Sequence, residues 1–246
     1  MALTAYQNAT VRLLQNPAAP STLYATADIT TWINAARQQL ASEGDCIAME
    51  GTIATVSSQR GYNFSGISSF TPGNASAVTG PLRIESLAVT VSGGKQKIWP
   101  RPYAYFENYY LSQPSPVNGT PLRWAQLYQG NQGTFVLDPP PDQIYTLTAR
   151  MFMLPITLAS DSDPEAIPYP WTDAIPYYAA YLALLSAQSP ARISDAQRYF
   201  NVYSEYVTRA RQYANADIVR HQYIQAQDPT LINKLGVQKA AGGGGG

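Results

Sequence analysis

Apolar residues recur at helical spacing near both ends of the chain and at strand spacing in the middle. Leu3, Val11 and Leu14 predict the apolar side of a short helix opened by Thr4 or Thr10. Asn16-Pro17-Ala18-Ala19-Pro20 ends it, because proline cannot continue a helix and restricts the residue before it. The next helix is clearer. Asp28 is suited to its N-cap, Ile29, Trp32, Ile33, Ala36 and Leu40 share a face, and Gly44 suits its stop.

From Asp45 to about Leu158 the period changes. Ile47-Ala48-Met49 and Gly51 to Val56 read as strand material. Leu82, Ile84, Leu87, Val89 and Val91 alternate with polar residues, and the offset between Ile84 and Leu87 predicts a β-bulge. Gly93-Gly94 marks a hairpin before Lys95-Gln96-Lys97-Ile98-Trp99. Leu122 to Tyr128, Thr134 to Leu137 and Tyr145 to Met153 read as further strands. The Gly/Ser-rich piece Ser57–Gly80 reads as a long surface loop or mobile insertion. Short strands separated by turns predict a small antiparallel sandwich or barrel.

Helical spacing then returns. Asp173 as N-cap would put Pro176 in the first turn, where the N–H has no intrahelical partner. Tyr177 to Leu185 is apolar on nearly every side, which suits a helix buried on several faces. Ser189-Pro190 breaks it, and Ser194 or Asp195 would cap the next helix. Tyr199, Tyr203, Tyr206, Ala210 and Tyr213 form one stripe of that helix. The pair predicts an αα-hairpin. The class is therefore α+β: a helical bundle of residues 1–45 and 159–215, an inserted antiparallel β-sandwich or barrel module of residues 46–158, and an extended tail, 216–246.

Composition narrows the function classes. Charged residues make up only 13% of the chain, and Lys plus Arg equals Asp plus Glu at 16 each. A neutral, charge-poor surface favours association. The positive charges look scattered, so no aromatic–basic nucleic-acid stripe is expected. The 18 tyrosines suit packed sheet faces and helix cores as well as interfaces. Cys46 is the only cysteine, which leaves no internal disulfide and suits a small buried apolar residue. The first residues lack a signal-peptide pattern, and no apolar run is long enough to span a membrane. Without an export signal, the Asn-x-Ser/Thr sequences at Asn8, Asn63, Asn74 and Asn118 read as chance.

Candidate chemistry is sparse. His221 is the only histidine and lies near the tail, among neutral or basic neighbours. No nucleophile elbow, phosphate-cradling loop or His-Glu-x-x-His motif occurs, so no catalytic residue and no cofactor is expected. Asp161, Asp163 and Glu165 form a tight carboxylate cluster. It admits a Ca²⁺ loop or local Asx turns. Ala166, Ile167 and Thr172 at the sixth, seventh and twelfth places break EF-hand spacing and favour the turn. Trp99, Trp124, Tyr103, Tyr105, Tyr109 and Tyr110 could line a carbohydrate-binding or glycan-cleaving face, or fill the sheet core.

The run Asp138-Pro139-Pro140-Pro141-Asp142-Gln143-Ile144-Tyr145-Thr146-Leu147, the exit Leu154-Pro155-Ile156-Thr157-Leu158, and Ile167-Pro168 before Trp171 resemble head-to-tail adaptor (connector) proteins of tailed bacteriophages. The Tyr/Ala/Leu helix and its tyrosine-bearing partner add to the likeness, which is closest to the larger adaptors of the tail-tubular type in short-tailed phages. It covers about residues 120–215, and the N-terminal helices in outline. The resemblance implies a non-enzymatic virion protein, assembled in the host cytoplasm. It implies a homo-oligomeric, typically dodecameric, ring beneath the portal protein that extends the DNA channel and carries tail parts such as a nozzle, tube or fibre. It also implies a portal-docking tail carrying Ile218, Val219, Tyr223, Ile224, Leu231, Ile232 and Leu235. The helical bundle would then supply the ring contacts, with the stripe Tyr199, Tyr203, Tyr206 and Tyr213 facing a neighbouring subunit.

Overall fold

The computed structural model describes residues 2–16, 23–71, 75–112, 117–186 and 190–214. His221 and the seven tail positions from Ile218 to Leu235 lie outside the described residues. Helix α1 spans Leu3–Leu14 and α2 spans Thr26–Gly44. The sheet region follows with β1 (Ala48–Ala54), β2 (Gly61–Asn63), β3 (Ser68–Thr71), β4 (Val78–Val91) and β5 (Gly94–Pro100). Helix α3 (Tyr103–Ser112) leads to β6 (Arg123–Gln126), β7 (Thr134–Asp138) and β8 (Thr146–Pro155). Helices α4 (Ile175–Ser186) and α5 (Pro190–Ala214) close the described chain. No helix among the described residues is long and apolar enough to cross a membrane.

The fold class is α+β, and the strands form one curled, half-barrel sheet. Its order is β2-β7-β6-β5-β4-β8-β1-β3. Neighbours are antiparallel except β5 and β6, which run parallel over the short pairing Trp99↔Arg123 and Pro100↔Trp124. The predicted offset in β4 is real: its register against β8 shifts between Ile84 and Ser86, and twice more nearer its start. Each shift bends this long strand and tightens the curl. The β4–β5 hairpin turns through Ser92-Gly93, since Val91 already pairs with Gly94.

Several expectations need correction. Ser57–Gly80 is not a plain loop. Its described part contributes β2, β3 and the start of β4, besides short 3₁₀ turns. What anchors it is aromatic burial: Tyr62 stacks on Phe135 at 5.4 Å, and Phe64 is buried. The backbone of Gly133 lies against the Phe64 ring so closely that a Cβ there would come within 2.1 Å of it. Helix α3 was not predicted. Helix α2 starts at Thr26 with Ala25 as its cap, so Asp28 sits inside the first turn, where a carboxylate favours the positive helix end. A 3₁₀ turn, Trp171–Ala174, precedes α4, which moves Asp173 out of the cap position. Helix α5 begins at Pro190 rather than near Ser194, because proline at the first helical position needs no N–H partner.

Helix α2 packs on β8, with α1, α4 and α5 packed against α2. Ile29, Ile33, Ala36 and Leu40 of α2 are fully buried, facing α4 and β8. Each large apolar side chain among them contributes roughly 1.5–3 kcal/mol by leaving water. The inner sheet face presents Leu87, Val89, Ile98, Leu147, Ala149 and Met151 to the same core.

Candidate assembly site

Where β8 leaves the sheet, Glu165 and Asp161 tie helices to the following loop, and Asp163 closes that loop on itself. Arg37, on the buried face of α2, holds Glu165 with two bonds: Nη2 to Oε1 at 2.8 Å and Nε to Oε2 at 3.1 Å. Both side chains are buried. Arg37 Nη1 also donates to the Ile156 carbonyl at 2.5 Å and to Asn34 Oδ1 at 3.2 Å. Tyr6 of α1 donates its hydroxyl to Glu165 Oε2 at 2.7 Å, and the Ile167 amide donates to Oε1 at 3.0 Å. Burial, and then the Glu165 charge, push the Tyr6 phenol far above its ordinary range. Asn34 clasps Leu158 in both directions: its amide donates to the Leu158 carbonyl at 3.0 Å, and its oxygen accepts the Leu158 amide at 2.8 Å. A buried ion pair is tolerable only when its remaining polar atoms find partners, and here each guanidinium nitrogen and both carboxylate oxygens do.

The other two carboxylates serve the same join. Asp161 accepts the Thr4 amide at 2.7 Å and the Thr4 hydroxyl at 2.6 Å. Asp163 accepts the amides of Ala159 at 2.6 Å and Ser160 at 2.7 Å, a local turn of the kind expected. These donors hold both carboxyls below their usual value. All three acids of the cluster are thus engaged by groups of the chain.

The tyrosine stripe of α5 meets the tyrosines of α4. Tyr178 lies 4.5 Å from Tyr203, Tyr177 6.2 Å from Tyr199 and 6.4 Å from Tyr206, and Tyr181 5.1 Å from Phe200, centroid to centroid. Tyr203 is only 1% exposed and donates to Glu43 Oε2 at 3.2 Å; burial raises its pKa, with Glu43 adding to the rise. Tyr199 donates to the Leu13 carbonyl at 2.8 Å and is half-buried, as is Tyr206. Tyr213 is 72% exposed, with Trp171 against its ring at 5.5 Å. The stripe therefore divides. Tyr203 is turned into the chain's own core, and Tyr213 is open to solvent.

At the far end of the sheet, the segments at 55–58, 117–120 and 140–145 form a tip. The Ser58 amide donates to the Pro141 carbonyl at 2.7 Å and the Gly119 amide to that of Pro140 at 2.8 Å. Tyr145 is locked by its hydroxyl on Asp142 Oδ1 at 2.7 Å and its amide on Thr55 Oγ1 at 2.7 Å. This fixed frame leaves Val56, Val117 and Ile144 exposed.

The aromatic residues of the β region do not form one sugar-stacking platform. Trp124 is 4% exposed, inside the core, while Trp99 is 61% exposed on the opposite side of its strand from buried Ile98. Tyr103 is half-buried, and the side chains of Tyr109 and Tyr110 lie outside the described residues. Cations cover the outer rings instead: Lys97 lies 5.3 Å from the Trp99 ring, and Arg101 and Arg123 lie 5.8 and 5.7 Å from that of Tyr105. The reading of scattered positive charge is corrected here. Lys95, Lys97, Trp99 and Arg101 fall on alternate positions and so share one face.

Comparison with known proteins adds one result. A family model described as SU10 adaptor protein matches residues 1–225, which takes in both helical ends and the whole sheet. No curated protein matches the chain.

Proposed function

The chain belongs to the SU10 adaptor protein family, phage structural proteins with an adaptor role, and on that basis we propose that it forms a ring beneath the portal. In this reading the ring lengthens the DNA channel and gives tail components a platform. The observation that carries it is the family match, which spans helices and sheet as one unit. The surface supports it. A ring needs two different, complementary patches on each subunit. The chain carries exposed apolar side chains at separated places, among them Tyr169 and Tyr213 where α4 begins and α5 ends, Leu185 and Ile193 at the other end of that hairpin, and Val56, Val117 and Ile144 at the tip. Residues 1–45 and 159–215 would form the body of the ring, and residues 46–158 would face outward or toward the tail. Residues 216–246 would reach the portal. The protein then acts without catalysis, as a part of the virion.

Negative-stain imaging of the purified chain, alone and mixed with portal, tests this. Rings seated at the portal mouth are expected. Single particles that never associate with portal, at any mixing ratio, would end the reading. A chain lacking residues 216–246 should keep its fold and lose portal binding.

A further inference from the structure

The outward face of β5 carries charge in a pattern unlike the rest of the molecule. Lys95, Lys97, Trp99 and Arg101 point the same way along the strand, about 6.6 Å apart at alternate positions. Arg123 of β6 pairs in register with Trp99 and joins the row. The rings hold the cations in place, Lys97 over Trp99 and both arginines over Tyr105. Beside the two lysines the sheet surface is low and uncharged, since Ala88 and Thr90 of β4 pair with Lys97 and Lys95 and Thr148 and Thr146 of β8 pair with them in turn; further along the same face Arg150 of β8 follows, ion-paired with Glu85 at 2.8 Å. The acids on this face are mostly engaged. Asp138 is buried and salt-bridged to Arg123 at 3.1 Å, Glu85 is held by Arg150, Glu50 lies opposite Arg150 across two strands from Lys97, and Glu107 of α3 is exposed nearby in sequence.

From this arrangement we infer that the β5 face binds the sugar–phosphate backbone of duplex DNA. Phosphates are met by cations without regard to sequence. Cations fixed over rings need little further ordering when they bind. The short threonine and alanine side chains let a wide rod approach, and the hydroxyls of Thr90 and Thr146 can donate to phosphate oxygens. Trp99 and Tyr105 each already have a cation near a ring face, so they position charge beside the strand. The inference rests on the reading that DNA passes along this protein, with residues 46–158 on the tail side of the ring rather than its outside, and it adds the surface that touches the DNA.

Fluorescence anisotropy of the full chain with a labelled duplex of about 20 base pairs tests it at low salt, with a single strand of the same length alongside. With two or three phosphate contacts, affinity for duplex should fall roughly 10- to 40-fold between 50 and 200 mM salt. Lys95→Glu with Lys97→Glu should weaken duplex binding by at least about 10-fold, whereas Lys95→Arg with Lys97→Arg should preserve it. Arg198→Glu with Arg209→Glu, an equal charge change on α5, should shift it less than about 3-fold. Circular dichroism of every variant checks that the fold survives. Three results would overturn the assignment: no duplex binding at low salt, equal losses from the β5 and α5 pairs, or tighter single-strand binding that Trp99→Ala abolishes. Portal imaging of the Lys95→Glu, Lys97→Glu chain separates the two readings. Rings that still bind duplex normally would remove the DNA face and leave the adaptor reading standing.

Discussion

The join around Glu165 and the outer face of β5 treat charge in opposite ways. At the join an arginine and a carboxylate are taken out of water, and every guanidinium nitrogen has a partner within the chain. On β5 Lys95 and Lys97 stand in solvent, Lys97 against the Trp99 ring, and the strand carries no carboxylate of its own. The difference separates charge that fixes the fold from charge available to a partner. Because the two groups lie on different elements, each role can be removed without the other.

The sharpest way to break the contrast is Glu165→Ala. Arg37 would stay buried without its counter-charge, and unfolding in urea should show a loss of about 3–5 kcal/mol. Adding Arg37→Met to that variant should recover much of it, because an apolar side chain carries no buried charge to be met. Next in size is Gly133→Ala, whose Cβ collides with the Phe64 ring. It should cost about 1–3 kcal/mol by thermal melting, with a smaller ring-free residue at Phe64 relieving part of the strain. Within the tyrosine stripe, Tyr203→Phe should cost about 1 kcal/mol through the lost bond to Glu43. By contrast, Tyr213→Phe should leave stability within about 0.5 kcal/mol. Sedimentation of a Tyr213→Ala chain would show whether that residue serves self-association.

Acid gives the smallest effect. The Asp161 carboxyl is held below its ordinary value of 3.8 by bonds from Thr4. Its contribution is therefore complete above that pH and is lost as pH falls through the lower, folded value. Hydrogen exchange at the Thr4 amide should speed up in that range, well before global unfolding. Asp161→Asn should produce part of that faster exchange at neutral pH. Slow exchange that persists unchanged through pH 2 would show that Asp161 does not hold the N-terminal turn.

Much of the framework was legible because its signals are local. The bulge in β4 is written in the Ile84–Leu87 offset, and the α5 stripe in tyrosines three and four apart. What escaped was long-range or masked by averages. Nothing near Arg37 announces Glu165, since the pair lies 128 residues apart. Strands β2 and β3 are three and four residues long in a Gly/Ser-rich stretch, too short to show a period. The β5 row did have a period of two, but over the whole chain its lysines vanish into a net charge of zero. The division of the tyrosine stripe was also hidden, because the facing tyrosines of α4 decide which rings are covered.

The clasp between Asp161 and the Thr4 amide has a consequence for how the protein is made. The two residues are 157 positions apart. On the ribosome, the first helix must therefore wait while the intervening chain emerges, roughly ten seconds or more at ordinary synthesis rates. The strands of β1 to β7 can pair in that interval, but α1 and α2 can reach their places only after β8 and the acidic loop have appeared. The N-terminal segment is thus the first made and among the last to settle, with its apolar face uncovered in between.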